Sequence, residues 1–205
     1  MMRFALSLTV ILSAASHISA VNQSAERFES ATAGIALTRP AGWHTTSLEM
    51  VQANRTRVRF ADPELQQALL TRATAPLFVF SKYAEPHPGL NPSIQVTLRP
   101  SGSLAGTAPT SLLKIAVGTM QRALPDFTYV TPIRSARVSG WPAAHLSATY
   151  TLKSTAGASY PVFTRIWVIP RGAFMFLVGM SGPPDGPDAS EEEFKQALAS
   201  IELQK

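Results

Sequence analysis

Three histidines beyond the first twenty residues, His44, His87 and His145, are the side chains best suited to move a proton or ligate a metal. A hydrolase would need one of them beside a nucleophile and an orienting acid. None lies near a G-x-S-x-G nucleophile elbow, and serines and threonines are too abundant for any one to stand out. Glu85 and His87 share one loop, and Asp185 and Asp188 another. Neither loop has the ligand density of a calcium site or the paired-histidine spacing of a zinc site, so all four read as ordinary polar loop residues. The acids concentrate at helix starts, which leaves no carboxylate pair to nominate for glycoside hydrolysis. The chain has no cysteine, which excludes disulfides, thiolate metal sites, a cysteine nucleophile and a lipid-modified cysteine together. The expectation is a protein that is not an enzyme, with no catalytic residue, metal or cofactor to assign.

Residues that bind rather than react are easier to nominate. In "NRTRVRF", Arg55, Arg57 and Arg59 alternate and would project from one face if the segment is a strand, forming either a solvated edge or an anion-docking strip. Trp141 sits between Gly140 and Pro142 in an expected turn, where an aromatic ring is available to a partner. Trp167, flanked by Ile166, Val168 and Ile169, reads as core. The chain carries 18 basic against 13 acidic side chains. That modest excess suits an anionic surface or an acidic protein and fits nucleic acid poorly.

Residues 1–20 combine Arg3, an apolar run and a small residue before Val21, the pattern of a cleaved secretory signal. The apolar run is shorter than the roughly 20 residues a membrane-spanning helix needs, so an exported periplasmic or secreted protein is expected, with no transmembrane segment after cleavage. Residues 21–33 are polar and small and read as a flexible arm, and one domain is expected over 34–205. "GIALT" reads as a strand whose exit turn holds Pro40 and Gly42, with Trp43 anchoring the corner. A helix is expected over "DPELQQALLTR", then strands "APLFVFSKY" and "SIQVTLR", the second with Ile94, Val96 and Leu98 on one side. A second helix over "TSLLKIAVGTMQRAL" carries an apolar face of Leu113, Ala116, Val117, Met120 and Leu124. Strands follow in series from Phe127, the last two apolar on nearly both sides, and Ser190 with Glu193 spells a capping box for a closing helix. Hairpin-linked strands with a few long helices predict an α+β sandwich around an antiparallel-rich sheet.

The order of "GIALTRPAGW", "VSGWPAAHLSATY", "RIWVIPRGAFMFLVGMS" and "EEEFKQALASIEL" resembles the PsbP-like/Mog1-like superfamily, which includes bacterial DcrB-like exported proteins. Pro40, Gly42, Trp43, Gly140, Pro142, Ala143, Phe194, Ser200 and Ile201 occupy the matching positions, over about residues 34–203. The resemblance implies an α-β-α sandwich with a central antiparallel sheet and no single activity. Many bacterial relatives are lipoproteins, and this chain lacks the cysteine that would carry the lipid. The expected function is an exported binding or accessory module acting through protein-protein contacts in the cell envelope. A small-molecule or lipid carrier with a pocket between sheet and helices is the alternative, and an uncharacterised hydrolase the third.

Overall fold

Alternation in the second half of the chain produces four long strands joined by tight turns, and they set the frame. The computed structural model describes residues 24–59, 67, 74–124 and 126–204. β7 (Thr128–Val138) and β8 (Trp141–Ser154) are joined by Ser139 and Gly140, both at positive φ (51° and 78°), as a two-residue hairpin turn requires. β9 (Ser159–Arg171) and β10 (Phe174–Gly182) continue the meander. β6 (Ser93–Pro100) and β5 (Phe78–Ser81) extend it beyond β10, the two-residue β3 (His44–Thr45) closes that edge, and β4 (Val58–Arg59) adds to the far end of β8. Among the described residues the sheet runs β3-β5-β6-β10-β9-β8-β4 with β7 also on β8, and every pairing is antiparallel.

One side of this sheet carries the larger apolar core. Phe80, Ile94, Val96, Phe176, Val178, Met180, Trp167 and Ile169 pack there against a small second sheet and the last helix. The small sheet is β1 (Glu26–Ser30), β2 (Ile35–Arg39) and β11 (Glu202–Leu203), in the order β1-β2-β11. The closing helix, here α3 (Glu191–Ala199), buries Phe194 and Ala197. Trp43 is 1 % exposed and meets Phe194 edge-on at 5.8 Å between ring centroids, which makes it the core corner expected from the sequence. Against the other side lies α2 (Pro109–Ala123), with Pro109 at its first turn and Leu112, Leu113 and Val117 on Leu146, Ala148 and Val168. The fold is thus α+β, with a large antiparallel sheet between helical and mixed layers, as expected.

Four local expectations are corrected. The segment 21–33 is not all flexible arm: residues 26–30 form β1, paired with β2 from Glu26↔Arg39 to Ser30↔Ile35, and Phe28 packs on Phe78 and Phe80. Arg39 reaches Glu26 at 3.1 Å, so a polar-looking stretch is held by a ladder, a ring and an ion pair. Ser190 does not build a capping box, because its hydroxyl accepts from Lys82 Nζ at 3.2 Å and Glu193 is drawn to the same ammonium at 3.5 Å. Ser190 instead enters α3 at φ 54° with no side-chain cap bond. Trp141 and Pro142 stand within β8 and not in the turn before it. Finally, β10 and β9 are not apolar on both sides, since Gly179, Ser181 and Thr164 face the α2 side. The expected signal over 1–20, and the helix expected over 62–72 apart from Gln67, lie outside the described residues.

Removing the Phe194 ring opens a void beneath Trp43. Phe194→Ala is expected to cost about 3–5 kcal/mol in urea unfolding, whereas Leu48→Ala, at a residue 53 % exposed, stays within about 0.5 kcal/mol. Equal losses would contradict this placement of the core.

Candidate functional site

The three arginines read as one strip are not brought together. Ser47 caps α1 (Leu48–Thr56) by accepting from Met50 N at 3.2 Å, and the helix carries Arg55 in its last turn. Arg57 follows as its C-cap, and only Arg59 lies in a strand. A helix turns 100° per residue, so i, i+2 alternation no longer places side chains on one side. Two of the guanidinium groups tie loops instead: Arg55 donates to Thr74 O at 3.2 Å, and Arg57 to His87 O and Asn54 Oδ1, each at 3.4 Å.

Trp141 is half-buried on the larger core, opposite Val138, with the Arg171 guanidinium 3.9 Å above its ring. That stacking occupies one face of the indole. Arg171 also donates to Gln204 O, which pins the end of the chain beside the same corner.

The histidines are dispersed. His44 pairs with Ser81 at the β3 edge. His87 stacks on Tyr83 at 4.9 Å, in a loop that Glu85 holds by accepting from His87 N at 2.9 Å and from Asn91 Nδ2 at 3.0 Å. Asp188 accepts from the Tyr83 hydroxyl at 2.5 Å, which raises the pKa of that phenol, and lies 3.7 Å from Lys82. Among the described residues no group of three acidic, histidine or cysteine side chains is arranged to hold a metal.

His145 is the buried one of the three. It sits in β8 between Arg134 of β7 and Trp167 of β9, 9 % exposed, 4.5 Å from the indole, with Nε2 buried and unpartnered. Burial first, then the charges of Arg134 and Arg165, push its pKa down from 6.5 to about 4. It is a neutral core imidazole at physiological pH, not a base with a substrate before it.

Beyond these residues, two surfaces gather functional groups. β7 is an outer strand whose other edge has no pairing among the described residues, and it bears exposed Arg134 and Arg137. Its register shifts between Tyr129 and Thr131 and again before Arg134, and Val130 at the first irregularity is 57 % exposed. The α2 side of the sheet carries the second, a row of hydroxyls of which Ser93 and Ser181 are half-buried and Ser81 and Thr164 buried. Ser81, Ser93, Ser181 and Thr164 lie opposite one another on four neighbouring strands. The Thr164 and Ser181 hydroxyls are 2.7 Å apart, as are those of Thr46 and Ser81. Burial pushes the Tyr150 phenol up to about 12, against the lowering influence of Ser181 and Thr164. The strand pairing lines these residues up.

Because the folded pKa of His145 is depressed, its contribution to stability is complete above the unfolded value of 6.5 and is lost as pH falls toward 4. NMR titration should show an imidazole midpoint near 4, and His145→Gln should flatten the stability loss between pH 6.5 and 4. A midpoint near 6.5 would show that the ring is open to water.

No family model matches the chain, and no curated protein does so either. Among solved structures, the chain is similar to LpqN, involved in cell envelope biogenesis of Mycobacterium tuberculosis, with 16 % identity, 83 % of each chain covered and a TM-score of 0.51. It is also similar to cyanobacterial PsbP from Synechocystis, with 11 % identity over 94 % of this chain and 99 % of that one, at a TM-score of 0.49. A third similar structure, from Bacteroides thetaiotaomicron, has 15 % identity over 87 % of this chain, which spans only 48 % of that protein, at a TM-score of 0.45. The likeness to LpqN shows a shared fold, which agrees with the α+β architecture expected from the sequence.

Proposed function

We propose that this chain is an exported, non-enzymatic accessory protein of the cell envelope that works by contact with another protein, whose acidic surface docks edge-on against β7. The observation that carries the reading is the placement of Arg134 and Arg137. They project to opposite sides of an outermost strand, so a partner approaching the edge meets both, and neither belongs to an ion pair among the described residues. Val130 beside them offers an exposed apolar contact.

The net charge of +5 adds a long-range field of the matching sign. The irregular register and Pro132 discourage plain strand addition, so side-chain contact is the favoured mode. Export follows from the expected signal over 1–20, and no helix among the described residues is long and apolar enough to cross a membrane. LpqN, the similar structure described above, is involved in cell envelope biogenesis, which agrees with this setting.

The test is affinity capture from an envelope extract with the purified protein as bait. One protein should be retained at low salt, released as salt rises, and retained at least tenfold less by the Arg134→Glu, Arg137→Glu variant. Reversing Arg55, Arg57 and Arg59 should have a smaller effect. Retention indifferent to the β7 reversals, or no retained protein at low salt, would overturn the proposal.

A further inference from the structure

Two buried nitrogens on neighbouring strands have no partner. His145 Nε2 in β8 and Arg165 Nη1 in β9 both lie out of water without a hydrogen bond. His145 is only 9 % exposed, so an orphaned nitrogen on its ring is a cost that calls for an explanation. Arg165 stands opposite Ser147, two residues from His145 along β8, so all three side chains leave the same side of the sheet. Both orphans are held in place. The imidazole lies 4.5 Å from the Trp167 ring, and the guanidinium lies over Phe163 at 4.2 Å and Phe194 at 5.5 Å.

A third donor comes from β7. The register steps from Thr131↔Ser147 to Arg134↔His145, which is one residue more on β7 than on β8. Without that extra residue Ile133 would stand opposite the imidazole, and the bulge puts Arg134 there instead. Arg134 is exposed and belongs to no ion pair among the described residues. Since β7 is outermost at this point, the row through Arg134 and His145 reaches solvent at the sheet edge.

The donors call for one kind of ligand. A guanidinium can only donate, and an imidazole presenting Nε2–H donates as well, so acceptor oxygens are required. Glu191 pairs with Arg165 through Nη2 and leaves Nη1 open. Two guanidinium groups against that single carboxylate leave one positive charge uncompensated beside His145. A water would satisfy the donors but not the charge, and an apolar group would satisfy neither. A phosphate dianion carries one charge more than the site lacks. A carboxylate brings a single charge and two oxygens in the fork that a guanidinium matches. Ser147, 4 % exposed, adds a hydroxyl beside Arg165.

We infer that Arg134, His145 and Arg165, at the rim of the larger core, form a binding site for the carboxylate of a small carboxylic acid that enters past Arg134. The site shares Arg134 with the β7 edge but needs no protein partner, so either proposal can fail without the other.

The test is an NMR titration of the purified protein at neutral pH, following the His145 imidazole and Arg165 guanidinium signals. Sodium acetate and sodium propionate are the probes, with sodium chloride and inorganic phosphate as controls. At least one carboxylate should shift both groups saturably, while chloride leaves them in place and phosphate binds at least tenfold more weakly. Arg134→Gln, at an exposed position, should keep the melting temperature and weaken the carboxylate at least tenfold. His145→Phe keeps a ring against Trp167 but loses the donor, and should weaken it as well, read from the Arg165 signals. Lys114→Gln, which removes an exposed charge from α2 on the other side of the sheet, should leave binding unchanged. The proposal is overturned if neither carboxylate shifts the two groups, if chloride or phosphate shifts them equally, or if the Arg134 variant binds as the native protein does.

Discussion

The register of β8, β9 and β10 is the constraint on which the rest depends. Side chains alternate sides along a strand, so a slip of one residue between β9 and β10 would carry Trp167 and Ile169 to the α2 side. It would also send Thr164 into the apolar layer beneath α3. The observed pairing, with Trp167 opposite Val178 and His145, gathers the larger apolar core on one side, where His145 and Arg165 are its buried polar members, and sets the Ser93, Ser181 and Thr164 row on the other. Without a disulfide to hold the layers, this division of the sheet into a sealed side and a partly open one is maintained by packing and ladders alone.

The same division sets the state of the polar groups. His145 and Arg165 belong to the sealed side, where burial lowers the pKa of each, and Arg165 is paired with Glu191 and lies over the Phe163 ring. Arg134 and Arg137 on the rim remain available because β7 is the last strand on that side.

How much of this was legible follows from the range over which each signal acts. The strands from Ser93 to Gly182, the apolar face of α2 and the buried corner at Trp43 were readable, because alternation, helical spacing and turn residues are local. β1 was not, since "ERFES" is polar and its stability comes from β2 and from Phe28 reaching two rings distant in sequence. The arginine strip failed because the capping serine at 47 starts a helix through a stretch that reads equally well as alternating. The hydroxyl row could not be seen at all: Ser81, Ser93, Thr164 and Ser181 come from four separate strands, and their meeting is a property of register. The meeting of Arg134, His145 and Arg165 was hidden for the same reason.

The central functional claim is that the β7 edge meets a protein partner. A photo-crosslinking residue placed at Val130, in the intact envelope of cells that export the protein, tests it most directly. The account predicts one dominant crosslinked protein from Val130 and none from Ile115, an equally exposed position on α2. Equal crosslinking from both positions, or none from Val130, would contradict it.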